Sequence, residues 1–312
     1  MNRARSTHLC LKKVSHRRRT VHLVYRQAVY SRSGLLKDWL KCTQTGHFPA
    51  FFWAMSASVL LILPARLTLV PVSLFRLMAL LLSLDTSTTV CSVALHRQND
   101  SLPPALLGCY ELFIERTSSA MLTTLINDLV GQAGYTLREL DAVAVAKGPG
   151  SYTGLRISVS TAKGLCFALD KPLLAVNTLT AMAEQVRAYF PENHLLCPMI
   201  DARRMEVYCA LYDTSGREVQ PTAAKIIDEQ SFTDQLTERP IVFFGDGAEK
   251  CRPTLGAHPS AIFPASVVLP SARTIGQLAL EAFSQQQFED VATFEPFYLK
   301  DFMTIKPKKA PF

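Results

Sequence analysis

The chain has 312 residues with 33 Lys/Arg against 26 Asp/Glu, but the charge is unevenly shared. Residues 1–77 hold 13 basic residues and one acid, Asp38, whereas the remainder holds 20 basic residues and 25 acids. The mildly acidic body argues against a broad nucleic-acid face, because phosphate contacts need clustered Lys/Arg.

The leader sets Lys12, Lys13 and Arg17 to Arg19 before an uncharged run, "FPAFFWAMSASVLLILPA". That is the outline of a signal peptide or anchor. Pro49 and Pro64 interrupt the run, it barely reaches the ~20 residues of a span, and no A-x-A site follows. Residues 1–77 are therefore expected to lie upstream of the working start or to be disordered, with Met78 opening the body. The body's six cysteines form no C-x-x-C pair and read as buried free thiols of a reducing compartment. This predicts a cytoplasmic body with no membrane role.

From residue 79 two apolar, β-branched runs, 79–85 and 89–96, flank a short polar turn and predict a hairpin. Residues 108–116 alternate as a third strand. Met121, Leu122, Leu125, Ile126, Leu129, Val130 and Ala133 recur at i, i+3, i+4 spacing, an amphipathic helix that Gly134 stops. A buried strand, 141–147, runs into "GPGSYTG", and a helix is expected over 154–169. A strand at 173–176 and a helix over 178–190 complete the first half. The second half repeats the order: strands at 195–201, 206–213 and 218–227, a helix at 228–236, and a strand at 241–244. A Ser-capped helix, 271–285, is expected to close it, followed by an extended, loose tail carrying Lys306, Lys308 and Lys309.

Each half has Asp after its first strand (Asp85, Asp201) and Gly-x-Gly after its fourth (Gly148 and Gly150; Gly245 and Gly247). The pattern is an α/β fold of two β-β-β-α-β-α lobes with mixed sheets, residues 78–190 and 191–290, with 291–312 as tail. Such paired lobes resemble the actin-like ATPase (ribonuclease H-like) superfamily, whose members hold nucleotide between lobes. The six Asp and Gly positions are thus candidates for a vestigial nucleotide cleft with weak binding at most. "GPGSYTG" is not a Walker A loop, since Leu155 and Arg156 stand where Lys-Ser/Thr is needed. The acid that would hold a ribose is replaced by Asn177, and Pro149 removes a donor from the turn. His96, His194 and His258 lie far apart, so no metal site is expected, and no nucleophile motif is present. No catalytic residue is assigned.

Helix surface is more promising. Met121, Leu125 and Leu129 form an apolar stripe on the first helix. Ser158, Ala162 and Cys166, extended by Gly154, Ser151 and Tyr152, form a face of mostly small side chains on the second. Small residues let another helix approach closely. The face is either a partner interface or ordinary packing on the chain's own sheet.

"LLSLDTSTTVCSVAL", "DAVAVAKGPGSYTGLRISVSTAKGLCFALDKPLLAVNTL", "IDARRMEVYCALYD" and "FEPFYLKD" resemble the TsaB (YeaZ) family. The likeness runs from about Met78 to the end. It implies a subunit without strong catalysis of its own, bound to a TsaD-like catalytic subunit through first-lobe helices and joined by a TsaE-like ATPase. The assembly forms threonylcarbamoyladenosine beside the anticodon, so tRNA is met through the complex rather than directly. The resemblance also implies self-association through the same helices. The competing expectation is an actin-like ATPase or kinase, or a peptidase-like enzyme, acting alone.

Overall fold

The computed structural model describes residues 79–99, 102–114 and 118–300; the expectations for 1–77 and for the last twelve residues lie outside them. The first lobe runs β1 (Ala79–Asp85), β2 (Cys91–Asn99), β3 (Leu102–Leu112), α1 (Ser118–Gln132), β4 (Ala142–Gly148), α2 (Tyr152–Leu169), β5 (Leu173–Asn177) and α3 (Thr178–Val186). The second runs β6 (Leu195–Asp201), β7 (Glu206–Asp213), β8 (Glu218–Ile226), α4 (Thr233–Glu238), β9 (Ile241–Phe244), α5 (Arg252–Leu255) and β10 (Ala261–Ile262). A last helix, α6 (Ala272–Ser284), follows.

The two sheets have one topology. The first is ordered β3-β2-β1-β4-β5 and the second β8-β7-β6-β9-β10. In each, the first strand pairs antiparallel with the second and parallel with the fourth. The expected duplication is thus present in the backbone.

The strand β4, "AVAVAKG", explains how the first sheet is covered. Its residues alternate between faces. Val143 and Val145 join Leu82, Leu84 and the inner sides of α1 and α2. Ala142, Ala144 and Ala146 face the other way, toward Ile275, Ala279 and Leu280 of α6. Both faces are covered, so β1 is buried along its whole length and reads as a continuous apolar run. In the second lobe, Leu179, Met182, Ala183 and Val186 of α3 pack on Leu196, Ile200, Tyr212 and Phe244. Since Ala181 of α3 packs with the first sheet, this helix serves both lobes. Asn177 caps it: its Oδ1 accepts from Leu179 N at 2.8 Å and Thr180 N at 3.3 Å.

Several expectations need correction. The helix α6, assigned by sequence order to the second lobe, packs on the first sheet, because the alanine face of β4 leaves room only for a close-lying helix with small residues. Gly276 marks the closest approach: an added Cβ there would overlap the His96 ring and Ser83 Oγ. The strand β3 begins at Leu102, not 108, and contains Pro103 and Pro104, which an edge strand tolerates. Residues 228–231 form a turn in which Asp228 Oδ1 accepts from Ser231 Oγ at 2.8 Å, so α4 starts later than expected. The tail is held as far as Lys300: Lys163 Nζ donates to Phe294 O at 2.8 Å and Phe297 N to Lys147 O at 2.7 Å.

Candidate functional site

The cleft candidates fall into two like sets, one per lobe. Gly148 and Gly245 both have φ of +109°, a conformation that L side chains avoid, and each lets the chain turn sharply out of its strand. The second glycine of each pair is set by crowding. At Gly150 an added Cβ would overlap Ser87 O, and at Gly247 it would fall 3.0 Å from Asp201 N. In the first lobe Ser151 N donates to Ser87 O at 2.6 Å, and Thr86 Oγ1 donates to Gly154 O at 2.6 Å. In the second, Gly247 N donates to Met199 O at 3.0 Å, and Asp201 N to Asp246 Oδ1 at 3.1 Å.

Residues 86–87 thus pack directly against "GPGSYTG", and Phe297 lies against Gly148. Asp85 is buried; its Oδ1 accepts from Ser87 N at 2.8 Å, and its Oδ2 has no hydrogen-bond partner among the described residues. Burial pushes its carboxyl up to about 6, only partly offset by the Ser87 hydrogen bonds. A carboxyl so enclosed is poorly placed to hold a solvated metal. Asp201 is exposed and ion-paired to Lys250. Among the described residues no group of three His, Cys, Asp or Glu is arranged to hold a metal.

The expected interface residues also divide. Leu125 and Leu129 of α1 and Gly154, Ser158, Ala162 and Cys166 of α2 are buried under their own helices. Most of them meet the Val143/Val145 face of the sheet, so the small-residue stripe is internal packing and not a partner surface. Met121 and Tyr152 are half-buried, and Ser151 is exposed.

The outward face carries other residues. Ser119 and Thr123 of α1 and Arg156, Ser160, Gly164 and Phe167 of α2 are exposed, with Phe167 at 86%. A groove of about 550 Å³ lies between the helices, lined by Ser119, Tyr152, Thr153, Arg156, Ile157 and Ser160. Arg156 stacks on the Tyr152 ring at 4.5 Å and donates from Nε to Tyr298 Oη at 3.3 Å. At Gly164 an added Cβ would meet no described residue within 4 Å. Sequence reasoning missed this face because helical periodicity groups positions without saying which group meets the sheet. The available signal was Phe167, a large apolar residue out of phase with the buried set.

Two mixed five-stranded sheets of one topology, each with an Asp-ended first strand and a Gly-x-Gly turn after the fourth, define an α/β protein of two duplicated lobes. A family described as "TsaD: tRNA N6-adenosine threonylcarbamoyltransferase" matches residues 112–301. The tRNA threonylcarbamoyladenosine biosynthesis protein TsaB of Escherichia coli is 30% identical over 239 residues, 74% of this chain and 98% of that protein. Its namesake from Haemophilus influenzae is 28% identical, over 72% of this chain and 95% of that one. A Pseudomonas aeruginosa crystal structure described as similar to peptidase YeaZ is 30% identical, with a TM-score of 0.60 over 71% of this chain and 100% of that one. The chain belongs to the TsaB (YeaZ) family of tRNA threonylcarbamoyladenosine biosynthesis proteins. Among the described residues no helix is long and apolar enough to cross a membrane.

Proposed function

We propose that this chain is a non-catalytic subunit of the assembly that forms threonylcarbamoyladenosine on tRNA, and that it docks a TsaD-like catalytic subunit through the outer face of α1 and α2. The observation that carries the reading is Gly164 with Phe167. A mid-helix glycine costs about 1 kcal/mol relative to alanine, and none of the described residues approaches Gly164 closely enough to require it. An exposed phenylalanine forgoes roughly 1.5–3 kcal/mol of burial. A partner helix laid over α2 would use both, the glycine for close approach and the ring as anchor. The same face can receive a second copy of the chain when the catalytic subunit is absent, and a TsaE-like ATPase would join the pair. Independent ATPase or kinase action has little support in this geometry, because Thr86 and Ser87 pack directly on the Gly-rich turn and Asp85 is buried.

The test is capture of the TsaD-like subunit by Gly164→Leu and Phe167→Arg variants of the full chain. Among the described residues an added Cβ at Gly164 meets nothing within 4 Å and Phe167 is exposed, so both variants should fold with unchanged melting temperature, or a higher one for Gly164→Leu. Each should weaken capture at least tenfold. Undiminished capture by both variants would refute the docking face.

A further inference from the structure

The loop between β6 and β7, residues 201–206 ("DARRME"), takes no part in the docking face. Arg203 and Arg204 stand there in succession with φ of +70° and +53°. L residues other than Asn and Asp seldom adopt this region, and two adjacent arginines in it need bracing. The bracing is visible. Arg203 N donates to Asp201 Oδ1 at 2.8 Å, and Glu206 N to Arg203 O at 3.2 Å. Lys250 Nζ donates to Arg204 O and to Glu206 O, each at 2.7 Å, and pairs with Asp201. Lys300, from the returning C-terminal segment, pairs with Glu206 and reaches Ala202 O at 3.4 Å. Ile227 N donates to Met205 O at 2.8 Å.

The consequence is electrostatic. Both acids of the loop, Asp201 and Glu206, are already taken by lysines. Arg203 and Arg204 are exposed, and among the described residues neither guanidinium has an acid, carbonyl or ring partner. A braced loop thus presents two exposed, unpaired guanidiniums on successive residues. Their planar donor forks match phosphate oxygens. On an exposed loop they suit a ligand that lies across a surface, such as a nucleic-acid backbone, better than a nucleotide that needs enclosure.

We infer that Arg203 and Arg204 form a backbone-phosphate contact to tRNA made by this chain itself. The inference rests on the reading that the chain works in a tRNA-modifying assembly, and goes beyond it by giving the accessory subunit its own hold on the substrate. Two phosphates would be neutralised at one point, which the acidic balance of the body allows. The contact would position the tRNA and would not read its sequence.

The experiment measures binding of an unmodified tRNA transcript to the full chain by fluorescence anisotropy across a salt series. The Arg203→Asn/Arg204→Asn variant removes both charges with a residue that tolerates the left-handed backbone. Arg138→Ala/Arg239→Ala is the charge-matched control. The basic leader contributes equally to all three proteins, so the difference isolates the loop. The loop variant should lower the slope of log affinity against log salt by roughly 1.4–1.8, the value for two lost phosphate contacts, while the control keeps the wild-type slope. Equal slopes in loop variant and control, or no measurable tRNA binding by the wild type, would overturn the inference. Capture of the TsaD-like subunit is measured on the same proteins. Its loss in the loop variant with an unchanged salt slope would make the loop a protein contact and refute the tRNA assignment. Undiminished capture by both the Gly164→Leu and Phe167→Arg variants would instead refute the docking face and leave the tRNA result standing.

Discussion

Replacing Asp85 by asparagine tests whether the first-lobe turn is closed. Asp85 is buried, and its carboxyl is pushed up from 3.8 to about 6, chiefly by desolvation. A folded value above the unfolded one means that the group favours the fold only while protonated. That contribution is whole below about pH 4 and is lost as the pH rises through about 6. The difference amounts to roughly 3 kcal/mol, most of which develops between pH 4 and pH 8. The asparagine side chain would keep the bond from Ser87 N but place an amide where Asp85 Oδ2 has no partner, a pH-independent loss of ~1–3 kcal/mol. Urea unfolding of both proteins at pH 4 and pH 8 reads the two effects apart. Asp85→Asn should be less stable than wild type at pH 4 and should gain roughly 2–3 kcal/mol relative to it at pH 8. An identical stability difference at the two pH values would mean that the carboxyl is solvated, and the closed turn would be wrong.

Two further outcomes follow from the same geometry. Gly154→Ala and Gly164→Ala make one chemical change on one helix with opposite results. The first drives a Cβ into Thr86 O and should cost at least ~3 kcal/mol, whereas the second enters open space and should add about 1 kcal/mol, both read by thermal melting. His96, buried and near Arg273, has its imidazole held down to about 4. Its NMR titration should centre there and not near 6.5, and the stability tied to its neutral form should fall as the pH drops from 6.5 through 4.

Much of the architecture could be read from the chain because burial leaves a direct mark on composition. The bounds 79–85, 195–201, 206–213 and 241–244 follow from apolar or alternating runs that end at charged or glycine residues. The paired Asp and Gly-x-Gly signals gave away the duplication, because both turns must make the same left-handed exit. Facing was less accessible. Ser158, Ala162 and Cys166 looked like a partner stripe, yet Val143 and Val145 lie beneath α2 and explain why small residues sit above them. The position of α6 depends on the alanines of β4, some 130 residues earlier, and no local pattern carries that information. The cleft candidates were identified as strand-end residues, but their closure depends on Thr86 and Ser87 contacting Gly150, Ser151 and Gly154 across the lobe.

The path of α6 has a consequence for how the protein is made. The alanine face of the first sheet stays uncovered until residues 272–284 leave the ribosome, and Glu289 then adds an antiparallel bridge to Leu173. The first lobe is therefore synthesised first and completed last, and the second lobe must be built while its neighbour still exposes apolar surface. Early termination anywhere before α6 would damage the amino-terminal half as severely as the part it removes.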